Sequence, residues 1–162
     1  MDIVTGNDRA LRKGYVMREA PGWSWKASGR DNDDRFDFLV VDNVAYGSGP
    51  PLHTHARQED SFFVLEGVLT VQMDDDVVEL GPGDFATAPP GVAHSFTNAR
   101  PDQRVCRGIN LMTPGTGFDR YLARLEQMAA SGDHESILRL NDEFGVTIVG
   151  PSVAERLGLS PA

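Results

Sequence analysis

The chain is short of cysteine, of basic residues and of long apolar runs, and each shortage excludes something. Cys106 is the only cysteine among 162 residues, so no disulfide forms within the chain and stability must come from packing. It reads as a small buried strand residue rather than a nucleophile. Lys and Arg number 15 against 24 Asp and Glu, a net charge of −9, and no basic run stands out. That balance argues against a nucleic-acid or anionic-membrane partner. No stretch reaches the roughly 18 uninterrupted apolar residues of a membrane-spanning helix, and MDIVTGNDRALRKGYVM lacks the apolar centre of a signal peptide. The expected location is the cytoplasm. One domain over residues 1–162 is long enough to bury a core.

Histidine is scarce as well, with four in all, yet three of them fall in two short segments. His53 and His55 lie in GSGPPLHTHARQEDSFFVLEG, and His94 lies in GDFATAPPGVAHSFTN. Successive side chains of a strand point to opposite faces, so His53 and His55 share one face while Thr54 points away. A third imidazole has to come from a neighbouring strand, and His94 supplies it. Asp60, preceded by Glu59, adds a carboxylate at the start of a run that reads as a strand ending in the turn at Gly67. Imidazoles plus one carboxylate, with coordination positions left open, form a ligand set for a divalent transition metal. The expected ligands are therefore His53, His55, His94 and Asp60. His134 follows Asp133 where a helix should begin, and reads as a solvated first-turn residue.

The organisation of the chain divides at residue 113. Residues 23–113 show short strands broken by turn chemistry: Trp23–Ala27, Phe36–Tyr46, Val68–Met73, Val77–Leu80 and Arg104–Met112, with a solvated hairpin turn at Asp74–Asp76. About eight antiparallel strands point to an all-β double-sheet jelly roll. From 114 to 145 the apolar period lengthens. Phe118, Leu122, Leu125 and Met128 predict an amphipathic helix over 117–131, and Ile137, Leu138 and Phe144 a second over 133–144 that stops at Gly145. These two C-terminal helices are expected to pack on the barrel. Residues 1–22 and 146–162 read as an N-terminal arm and a C-terminal tail.

The two histidine segments resemble the paired motifs of the cupin superfamily. Gly47, His53, His55, Asp60 and Gly67 fall at the intervals of the first motif, and Gly83, Pro89, Gly91, His94 and Asn98 at those of the second. A fifteen-residue link separates them, and together they span about a third of the chain. Within the superfamily the chain is similar to small single-domain bacterial quercetinase-like proteins. The resemblance implies a double-stranded β-helix, one divalent metal (Fe, Ni, Mn, Co or Zn), a small aromatic or enolisable substrate, and dioxygenase chemistry. It equally allows an oxygen-independent isomerase or polyketide cyclase, or a non-catalytic small-molecule-binding module. Phe62 and Val64 share the face of Asp60, and Phe96 shares that of His94, so these three are expected to line the substrate pocket. The family usually has Glu where this chain has Asp60. The shorter side chain implies a weak or indirect contact with the metal, with Asp60 or Glu59 as the catalytic proton acceptor and Glu59 pointing out of the barrel unless a bulge shifts the register. A homodimer is expected from the resemblance and from an N-terminal arm able to extend a neighbour's sheet.

Overall fold

The computed structural model describes residues 23–160; the expectation of an N-terminal arm at 1–22 lies outside them. The strands are β1 (Trp23–Ala27), β2 (Asp37–Val41), β3 (Leu52–His55), β4 (Glu59–Glu66), β5 (Leu69–Met73), β6 (Asp76–Leu80), β7 (Phe85–Ala88), β8 (His94–Thr97), β9 (Arg107–Thr113) and β10 (Val146–Gly150). The helices are α1 (Phe118–Ser131), α2 (His134–Phe144) and α3 (Val153–Arg156). Two five-stranded antiparallel sheets, ordered β1-β2-β9-β4-β7 and β10-β3-β8-β5-β6, form the jelly roll.

Alternation builds the interior. β2 buries Asp37, Leu39 and Val41 and leaves Phe38 and Val40 only half-buried. β4 buries Asp60, Phe62 and Val64 and turns Phe63 and Leu65 outward. Leu39, Val41, Phe62 and Val64 from one sheet meet Leu69 and Val71 from the other in the main apolar core. A second core, of Met112, Phe118, Tyr121, Leu140 and Val146, joins the barrel to the helices.

The C-terminal part departs from the sequence reading in three ways. Residues 146–150, read as the start of a tail, form β10 and pair with β3, setting Val146 opposite His55 and Ile148 opposite His53. A third helix, α3, follows, opened by a capping box in which Ser152 and Glu155 satisfy each other's backbone N–H. In α2 the inward residue is Leu140, not Leu138, which is 68% exposed. Ile137, Leu140, Asn141 and Phe144 keep the i, i+3, i+4, i+7 spacing that a packed helix face requires. His134 is the exposed first residue of α2, and the helix is capped by the Asp133 side chain, which accepts from Ser136 N–H at 3.0 Å.

One glycine in the loop leading to β3 is held by close approach. A Cβ built on Gly49 would sit 1.9 Å from the Phe96 carbonyl oxygen, with backbone on the receiving side and no flexible side chain to yield. Gly49→Ala is therefore expected to cost more than about 4 kcal/mol, the range reserved for a substitution the backbone cannot absorb. A urea midpoint close to that of the unsubstituted protein would contradict this.

Candidate metal centre

Strand register brings the three histidines together. In the β3–β8 pair His53 stands directly opposite His94, and His55 lies two residues along the same face. Ring centroids are 4.4 Å apart for His53 and His94, 5.0 Å for His53 and His55, and 5.2 Å for His55 and His94. Asp60 reaches the same place from β4 in the opposite sheet. Its Oδ2 lies 3.2 Å from His94 Nε2 and 3.8 Å from His55 Nε2. One ligand atom from each of the four residues lies within 4.8 Å of every other, and all four residues are buried.

The donor set fits a cation. His53 Nδ1 and His94 Nδ1 donate to the carbonyls of Pro51 at 2.9 Å and Val92 at 3.0 Å, which leaves each Nε2 with its lone pair. Metal-binding imidazoles are commonly oriented by such an outer hydrogen bond. Neither ring nitrogen of His55 has a hydrogen-bond partner, although the residue is 1% exposed. Burying such a group unsatisfied costs a few kcal/mol, on the order of 1–3. His94 Nε2 also faces the Asp60 Oδ2 atom at 3.2 Å, a contact that either a proton on the imidazole or a cation between the two atoms satisfies.

Burial, followed by repulsion from His94, pushes His53 down to about 4. Burial likewise brings His55 to about 4, against the opposing pull of Asp60. Both imidazoles are thus neutral at pH 7, the form that ligates. For His94 burial acts downward too, but the hydrogen bond and charge of Asp60 outweigh it and raise the pKa above its ordinary value.

Three apolar residues share a cavity with part of the cluster. Phe62, Val64 and Phe96 line a cavity of about 650 Å³ that also reaches His53, His55 and Asp60. The Phe62 and Phe96 rings lie 5.4 Å apart and form an aromatic wall. Leu122, Leu125 and Ala129 of α1 and Ile137 of α2 roof it, so the helices close the pocket as well as packing on the barrel.

Glu59 is not brought to the cluster. The β4–β9 register runs unbroken from Glu59 to Val64, so no bulge turns it inward, and its Oε1 accepts from Thr87 Oγ at 2.6 Å on the other face of the sheet. Asp60 is brought to the cluster, with Oδ2 3.2 Å from His94 Nε2. Sequence reasoning missed Asn110 of β9, whose side-chain amide donates to Asp60 Oδ1, and Phe118, whose ring lies 5.4 Å from that of His55. The available signal for Asn110 was a residue type disfavoured in strands at the centre of the run RGINLMT.

The cupin-domain family model matches residues 40–106. Quercetin 2,3-dioxygenase of Bacillus subtilis (strain 168) is 33% identical over 70 residues, 43% of this chain and 20% of that protein. The chain thus spans about a fifth of the length of this curated relative. Among solved structures, KdgF from Halomonas sp. is 21% identical with a TM-score of 0.49, covering 68% of this chain and 94% of that one. A protein with a double-stranded β-helix domain from Klebsiella pneumoniae subsp. pneumoniae MGH 78578 is 20% identical with a TM-score of 0.49, covering 72% and 94%. Helices α1 and α2 lie outside the span of the family match. No helix among the described residues is long and apolar enough to cross a membrane.

Proposed function

The chain belongs to the cupin superfamily, and from that premise we propose that it is a metal-dependent enzyme acting on a small aromatic or enolisable molecule, by quercetinase-like dioxygenation. The observation that carries the reading is the clustering of three imidazoles and one carboxylate, of which His53, His55 and Asp60 line an apolar, helix-roofed cavity. His53, His55, His94 and Asp60 would hold the metal. A divalent ion there would act as a Lewis acid, lowering the pKa of a substrate hydroxyl brought to it. The partial identity to a quercetin 2,3-dioxygenase supports this choice among the reactions such a site can run.

The chain's own residues supply the rest. The Pro51 and Val92 carbonyls fix the tautomers of His53 and His94 so that the lone pairs face inward. Phe62, Val64 and Phe96 give a flat apolar substrate a surface to lie against and keep bulk water away from the reacting end. Asp60 is the carboxylate at the cluster, so it takes the proton of the substrate hydroxyl, and Glu59 does not take part. Asp60→Asn keeps a ligand oxygen but removes the base, and is expected to retain metal while turnover falls roughly 10²- to 10⁴-fold. Glu59→Ala is expected to leave both nearly unchanged, since it removes only the hydrogen bond to Thr87. Loss of activity on Glu59→Ala with Asp60→Asn unaffected would reverse the assignment.

Oxygen uptake tests the reaction. Metal-loaded protein is supplied with a panel of flavonols and β-diketones, and consumption of dioxygen with loss of substrate absorbance is the expected result. Conversion of substrate without oxygen uptake would replace dioxygenation by isomerisation or cyclisation at the same site.

A further inference from the structure

Asp60 reaches the cluster on a short stem, so the direction of its carboxylate depends on what holds it. Asn110 is its partner. On β9 it pairs with Phe62 of β4, which puts it on the inner face of the sheet and diagonal to Asp60, the residue opposite Met112. Its Nδ2 donates twice, to Asp60 Oδ1 and, at 3.2 Å, to the Ser61 carbonyl. Both acceptors are oxygens, so the amide is fixed with its N–H₂ end toward the carboxylate. With Oδ1 tied, Oδ2 is the oxygen left to face His94 and His55. An amide in the wall of an apolar cavity is costly unless its hydrogen bonds are made, and these two bonds account for its presence.

We infer that Asn110 is a positioning residue for the metal centre, aiming the Asp60 carboxylate at the cation by holding its second oxygen. The inference rests on the metal reading proposed above and goes beyond it, because it predicts that a residue touching neither metal nor imidazole sets the strength and geometry of binding. Outer partners of ligating groups typically control 10- to 100-fold in metal affinity.

The test is Co²⁺ titration of the metal-free full chain, following visible absorption, with the melting temperature of each metal-free protein measured alongside. Asn110→Leu keeps the volume and loses the donor. It is expected to bind Co²⁺ about 10- to 100-fold more weakly, with an altered spectrum, while its metal-free melting temperature stays near that of the unsubstituted protein. Asn110→Gln keeps an amide donor and is expected to recover part of the affinity. Should Asn110→Leu fail to fold, Asn110→Ala is read in its place against the same outcomes. Unchanged affinity and spectrum in Asn110→Leu would overturn the inference, as would equal losses in the Leu and Gln variants, which would mark packing and not hydrogen bonding. Unsubstituted protein that takes up no Co²⁺ would overturn the metal reading beneath it, a failure distinct from indifference to Asn110.

Discussion

Replacing His94 with Ala is expected to abolish turnover and to weaken metal binding by more than the roughly 100-fold that loss of an outer partner costs. His94 is the ligand that closes the cluster. It stands opposite His53 across the β3–β8 pair and closest to Asp60 Oδ2, so its loss removes one donor and leaves the carboxylate facing only His55. Bound metal stabilises the folded chain by mass action, about 2.7 kcal/mol when it is present at a hundred times its dissociation constant. For a chain of this size that corresponds to roughly 5–10 °C of melting temperature. The rise on adding metal should therefore be seen in the unsubstituted protein and be absent in His94→Ala. An equal rise in both would place the bound metal elsewhere.

Asp37→Ala should have a large effect on stability away from the cluster. Asp37 is buried at 1% exposure, and its carboxylate accepts from Gly29 N–H at 2.6 Å, Thr116 N–H at 2.8 Å and Phe118 N–H at 3.2 Å. The last of these explains a peculiarity of α1. Its N-cap is Gly117, which has no side chain to cap with, so a carboxylate from β2 does the capping and also meets the positive end of the helix dipole. Removing it leaves three backbone donors without their partner around a buried hole. The expected cost is about 3–5 kcal/mol, the range for breaking a buried charged network, or roughly 6–20 °C in melting temperature. The effect should extend to the pocket, because Phe118 packs against His55 and Tyr121 and α1 forms part of the roof. Asp37→Asn keeps the shape but points an N–H₂ at donors, and should fall between the two. A melting temperature unchanged by Asp37→Ala would show that water satisfies those amides equally well.

What could be read from the sequence follows from the range of the rules used. Period-two alternation is local, and it placed His53, His55 and Asp60 inward, Glu59 outward, and Phe62, Val64 and Phe96 beside the cluster. Helix period and glycine stops placed α1 and α2 to within a residue or two. Features that depend on pairing between distant strands escaped. Asn110 meets Asp60 only because β9 runs beside β4 in one register, and no property of RGINLMT alone fixes that. The strand β10 is a short apolar run after a glycine, exposed over its middle, so it carries no alternation to distinguish it from a tail. Leu138 and Leu140 are each compatible with an apolar helix stripe, and packing against the second core decides for Leu140. Asp37 reads as one more acid beside a polar loop until the fold buries it.

Metal analysis of the untagged protein, purified without chelator, decides whether His53, His55, His94 and Asp60 hold one divalent transition metal. Close to one equivalent per chain is expected, removable by chelator, restored on adding a divalent metal, and lost in His94→Ala. A protein that holds no metal under these conditions and takes none up on addition, or one whose metal content His94→Ala leaves unchanged, would contradict that assignment.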